Sequence, residues 1–96
     1  MSAYVIANID VRDPTRYADY IKLTPGTLAP FGGKFIARGG RSETLEGNVP
    51  ARRLVMIEFE TYEQAKAWYD SEGYRVAMAI RQSASTGSLM LVEGTP

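Results

Sequence analysis

The amino-acid sequence predicts an α+β domain of order βαββαβ, an antiparallel sheet with both helices on one face. Three observations carry the prediction. Four short stretches alternate apolar and polar residues as strands do, and two longer ones repeat apolar residues at helical spacing, each set between two strands. In addition, the strands keep a second apolar side after the helices have taken the first.

The first strand covers 3–11, with Ala3, Val5, Ala7, Ile9 and Val11 on one side and Tyr4, Ile6, Asn8 and Asp10 on the other. Asp13-Pro14 then opens a helix, the carboxylate capping free N–H groups and proline filling a first-turn position that needs no N–H. Tyr17, Tyr20, Ile21 and Thr24 follow at helical spacing. Pro25-Gly26 predicts a stop or a kink, with a further turn through Leu28 before Pro30 and Gly32-Gly33 close the helix.

The second strand covers 34–38 and the third 53–59, with Val55, Ile57 and Phe59 opposed to Leu54, Met56 and Glu58. Each carries a charge in an apolar run, Arg38 in one and Glu58 in the other. By simple alternation both fall on the side away from the helices. The connection 39–51 is long for a hairpin, a length that suits a functional loop or an extension of both strands. Thr61 and Gln64 form a capping box for a second helix carrying Tyr62, Ala65, Trp68 and Tyr69. Ser71 caps a resumption through Tyr74, Val76, Ala77 and Ile80, and a last strand covers 88–93.

Composition removes several kinds of chemistry. The 96 residues suit one domain, 1–96, with a single core. Eleven basic and eleven acidic side chains cancel, so no general field gathers nucleic acid or anionic membrane, and neither is expected as a partner. No stretch has the length of a transmembrane helix or the pattern of a signal peptide, which predicts a cytoplasmic location. With no cysteine and no histidine, thiol catalysis, the common zinc sites and a Ser-His-Asp triad are excluded. Neither a metal nor a cofactor is expected. Chemistry is left to carboxylates, arginines, tyrosines and hydroxyls.

Two right-handed βαβ crossovers in this order build a ferredoxin-like sheet. Its open face is expected to carry Tyr4, Ile6, Ile36, Leu54, Met56, Leu89 and Leu91, with the polar Asn8, Asp10, Arg38 and Glu58. Seven exposed apolar side chains would forgo on the order of ten kcal/mol of burial, which predicts that a second copy covers this face as a homodimer.

Arg38-Gly39-Gly40, Leu45-Glu46-Gly47, Arg53 with Glu58-Phe59, Trp68-Tyr69-Asp70-Ser71, Tyr74, Arg81 and Val92-Glu93-Gly94 together resemble the small bacterial proteins grouped as domain of unknown function family 1330. The resemblance spans essentially the whole chain. It implies a ferredoxin-like fold of the dimeric α/β-barrel kind, similar in architecture to cofactor-free monooxygenases, muconolactone isomerases and haem chlorite dismutases. It implies no settled activity.

The candidate catalytic pair is Glu58 and Arg38, and the candidate ligand contacts are Asn8, Arg38, Glu58, Tyr69 and Arg81. Arginine offers a rigid donor fork for paired oxygens, asparagine a donor and an acceptor, and tyrosine a hydroxyl at a cavity wall. The same residues also read as structure: Arg38 with Glu58 as an ion pair, Tyr69 as core, and Arg81 paired with a surface carboxylate. Two functions follow from the alternatives. One is a site in a polar cleft that binds or transforms a small anionic or carbonyl-bearing metabolite. The other is a non-catalytic structural or stress-related dimer whose buried charges fix the interface. A pocket of a few hundred Å³ favours the first, and a cleft filled by side chains the second.

Overall fold

The computed structural model describes residues 1–50 and 52–96; Ala51, at the end of the 39–51 connection, lies outside the described residues. The elements are β1 (Ala3–Val11), α1 (Pro14–Leu28) with a 3₁₀ turn Ala29–Phe31, β2 (Lys34–Arg38), β3 (Arg53–Phe59), α2 (Tyr62–Asp70), α3 (Glu72–Ala84) and β4 (Ser85–Glu93). The strands form one sheet of order β2-β3-β1-β4 with every neighbouring pair antiparallel, the ferredoxin-like arrangement. The molecule measures 32 × 30 × 17 Å, and the short dimension is the depth of one sheet and one helix layer. No helix among the described residues is long and apolar enough to cross a membrane.

Local chemistry explains the helix boundaries. Asp13 accepts from the Arg16 N–H at 3.1 Å, and Thr61 accepts from the Gln64 N–H at 3.1 Å. Ser71 ends α2 and begins α3: its hydroxyl donates to the Trp68 carbonyl at 2.6 Å and accepts from the Tyr74 N–H at 3.2 Å. Ser71 is therefore a cap, as its spacing predicts. Pro25 neither stops nor breaks α1, which runs on to Leu28.

The core lies between the sheet and the helices. Val5, Ala7 and Ile9 of β1 and Val55, Ile57 and Phe59 of β3 meet Tyr17, Leu28, Ala65, Trp68, Tyr74, Ala77 and Ala84 from the helices. Trp68, with no exposed surface, stacks 4.0 Å from the Tyr74 ring and 5.5 Å from Phe59. Its indole N–H donates to Thr27 at 3.0 Å, which completes the burial of a ring with one polar atom.

Register corrects three of the expectations. Leu89 pairs with Ala7 and Leu91 with Val5, so both lie on the helix side and pack against the core. The open face instead carries Met90 and Val92, which are 67% and 46% exposed. Strand β4 starts at Ser85, three residues early, because it follows directly from α3 and pairs with Val11. The 39–51 connection extends neither strand among its described residues.

Candidate functional site

A β-bulge in β2 decides where the charges go. Phe35 pairs with Ile57, but Ala37 pairs with Met56, leaving Ile36 as an extra residue. Side-chain parity reverses across it. Arg38 therefore stands opposite Val55 and faces the helices, whereas Glu58 stands opposite Lys34 and Tyr4 on the open face. The expected Arg38–Glu58 pair does not form. Glu58 binds the Lys34 ammonium at 3.2 Å, and Arg38 donates to the Ile21 carbonyl of α1 at 2.8 Å with its guanidinium 4.1 Å from the Phe35 ring centre.

The five predicted ligand contacts separate into three places. Asn8 joins Glu58 on the open face, its Oδ1 buried without a partner. Tyr69 is half-buried beside a groove between α2 and β4 and stacks on the Arg75 guanidinium at 5.0 Å. Arg38 and Arg81 remain together and line one internal cavity between sheet and helices. Arg81 corrects its surface-pair expectation. It is 8% exposed, because Tyr74, Ala77, Arg81 and Ala84 share the buried stripe of α3.

That cavity holds a third arginine, Arg53, which simple alternation on β3 places with Val55, Ile57 and Phe59 and which the candidate set lacks. Its guanidinium lies 5.7 Å from the Tyr17 ring centre and sits where a side chain on Gly39 would be; only glycine, here at φ +71°, leaves that space. The Nε atoms of Arg53 and Arg81 are both buried without a hydrogen-bond partner. Among the described residues, no carboxylate lies within salt-bridge distance of Arg38, Arg53 or Arg81. The acidic groups that do form ion pairs are Asp10, Asp19, Glu58 and Asp70, all elsewhere.

Tyr17, Tyr20 and Thr24 complete the polar part of the cavity, with Tyr74 behind them. Tyr20 and Tyr74 share a hydrogen bond at 2.9 Å, and the Thr24 hydroxyl donates to the Tyr20 carbonyl at 2.6 Å. Burial pushes the Tyr20 hydroxyl far above its usual range, and Tyr74 adds to the effect. Burial also raises Tyr17, against the opposing pull of Arg53 and Arg81. Both phenols are thus neutral donors near neutral pH. The remaining walls are apolar, from Val5, Ile9, Ile57 and Leu89 among others. The free volume is about 20 Å³, far short of a few hundred, which is room for one or two water molecules.

Such a site can bind and stabilise a negatively charged oxygen. It supplies no carboxylate base, since Glu58 lies across the sheet, so a proton-moving role for Glu58 in this cavity is ruled out by position. Among the described residues, no cluster of acidic side chains could hold a metal ion.

Solved structures share this architecture. The chain is similar to a protein of unknown function from Rhodopseudomonas palustris (TM-score 0.78, 18% identity, covering 99% of this chain and 83% of that one). It is also similar to SnoaB, a cofactor-independent oxygenase from Streptomyces nogalater (0.67, 14%, 99% and 94%). A third likeness is a dimeric ferredoxin-like protein of unknown function from Thermobifida fusca (0.62, 19%, 96% and 88%). At these identities the likeness establishes the fold. No curated protein matches the chain. The family model described as "Domain of unknown function (DUF1330)" matches residues 2–95, and the chain belongs to that family.

Proposed function

We propose that the protein binds or transforms a small anionic or carbonyl-bearing organic molecule in the arginine-lined cavity between sheet and helices. The observation that carries this is Arg81, more than nine-tenths buried, directed at a cavity and without a carboxylate. A buried guanidinium without a counter-charge is destabilising by several kcal/mol, and an anionic ligand offsets that penalty. Arginines beside a bound acid lower its pKa, so a weakly acidic ligand gives its proton to water and binds as the anion. Binding of this kind requires no cofactor. The likeness to a cofactor-independent oxygenase supports it as an analogy of fold alone.

A second reading, the non-catalytic dimer, draws on the small free volume. In both readings the open face is a homodimer interface. Tyr4, Ile6, Leu54, Met56, Met90, Val92 and Ile36 still make an apolar set of seven, and the Thermobifida fusca protein of similar fold is dimeric. Calorimetric titration with a panel of carboxylates and phenols distinguishes them. Ligand binding predicts an affinity that falls about tenfold or more in Arg81→Gln and Arg53→Gln, through loss of charge-assisted hydrogen bonds. If no member binds, or if both variants bind as well as the parent, the dimer reading replaces this one.

A further inference from the structure

The three arginines are not equivalent. Arg81 is buried and Arg53 half-buried, whereas Arg38 is exposed and stands where the cavity meets solvent. What holds Arg38 there is a consequence of one residue in α1. A helical residue donates its N–H to the carbonyl four positions earlier, and proline has no N–H. Pro25 therefore leaves the Ile21 carbonyl without its helical donor. Arg38 takes that carbonyl at 2.8 Å, its guanidinium lying on the Phe35 ring, and Ile21, Phe35 and Arg38 all line the cavity. The bulge at Ile36 is what turns Arg38 toward it.

We propose that the cavity is a gated anion site in its closed form, with Arg38 as the gate, the Ile21 carbonyl freed by Pro25 as its latch, and a negatively charged ligand as the key. This rests on the ligand-binding reading above and narrows it from anionic or carbonyl-bearing molecules to anions. The latch is a hydrogen bond from a charged donor to a neutral carbonyl. A ketone or amide oxygen reaching Arg53 and Arg81 gains little over water, whereas a carboxylate, phenolate or enolate oxygen adds the attraction of opposite charges, which offsets the loss of the latch. Gating also accounts for the small free volume. Swinging Arg38 toward solvent opens the mouth beside Ile21 and Phe35 and lets an apolar body lie along Val55 and Ile57, with its anionic end on Arg53 and Arg81.

The test compares the parent with Pro25→Ala, a change that restores the helical donor to Ile21 and suits a helix interior. Side-chain signals of isotope-labelled arginine report the latch without any ligand, and benzoate and its neutral analogue benzamide probe the gate. The expected result is an Arg38 guanidinium with hindered rotation in the parent and free rotation in Pro25→Ala. Benzoate should shift the Arg53 and Arg81 signals, release Arg38, and bind Pro25→Ala about three- to tenfold more tightly than the parent, the worth of one net hydrogen bond. In an Arg38→Ala background the Pro25→Ala gain should vanish. Equal Arg38 mobility in parent and Pro25→Ala overturns the latch. Equal benzoate affinity in the two overturns the gate while leaving the site intact, and release of Arg38 by benzamide overturns the requirement for charge. If benzoate moves neither Arg53 nor Arg81 in either protein, the ligand-binding reading falls and the gate with it.

Discussion

The two faces of the sheet hold charge in opposite ways. On the open face each charge has a partner: Glu58 meets Lys34, and Asp10 takes both Arg12 at 2.8 Å and Arg52 at 3.4 Å. On the helix face Arg53 and Arg81 reach into an apolar layer with no carboxylate among the described residues beside them, and exposed Arg38 bonds a backbone carbonyl. The open face is the one that water reaches in a single copy, so its ion pairs are screened and weak. Under the helices an unpaired charge is expensive. The charge that is costliest to bury, Arg81, is thus the one without a counter-charge, which is what the proposed ligand would supply.

The greatest loss of stability is expected on the helix face. Trp68→Ala removes the centre of the aromatic cluster and its bond to Thr27, and should lower unfolding free energy by about 3–5 kcal/mol in urea titrations. The same urea experiment on Met90→Ala, at an exposed position, should show a small change in a dilute single copy. Next comes assembly. Met56→Asp puts a charge in the apolar patch of the open face, and sedimentation should find a monomer where the parent gives twice the monomer mass. A parent that sediments as a monomer at micromolar concentration would leave that patch without an occupant.

Titration gives a third, smaller effect. Burial holds the Tyr20 proton in the folded state above the ordinary tyrosine value, so the folded chain binds more protons than the unfolded one once pH exceeds that value. Stability is then fully present below about pH 10 and declines above it, by about 1.4 kcal/mol per pH unit for one such group. Unfolding curves from pH 9 upward should flatten in Tyr20→Phe. Smallest is Glu58→Gln in the monomeric Met56→Asp background, where loss of a screened pair with Lys34 should change stability by about 0.5 kcal/mol or less. A loss of several kcal/mol in that single copy would mean that Glu58 is bonded within its own chain more strongly than the Lys34 pair accounts for.

Much of the fold was legible because it rests on local rules. The Asp13, Thr61 and Ser71 caps, the alternation of β1 and β3 and the length of the 39–51 connection all follow from residue type and spacing. The site was legible only in part, for reasons of register. A strand's side-chain period is two residues, and one inserted residue at Ile36 sends Arg38 to the opposite face; nothing in Lys34-Phe35-Ile36-Ala37-Arg38 marks that insertion. The same sensitivity exchanged Leu89 and Leu91 for Met90 and Val92, since β4 is apolar on both parities. Arg53 is different. Its parity with Val55 and Ile57 is present in the sequence, but residue type argues the other way, because an arginine at the end of a strand is so often a surface residue.

If Arg81 is held unpaired in the core for a ligand, its burial lowers the stability of the unliganded chain, and Arg81→Met reports by how much. Unfolding free energies of the parent and Arg81→Met should be compared in a buffer free of organic anions. Replacing an unpaired buried guanidinium by an apolar side chain of similar length should raise stability, by about 1–3 kcal/mol, with the fold unchanged. A stability that falls in Arg81→Met would contradict the account, because it would mean that Arg81 is already satisfied within its own chain.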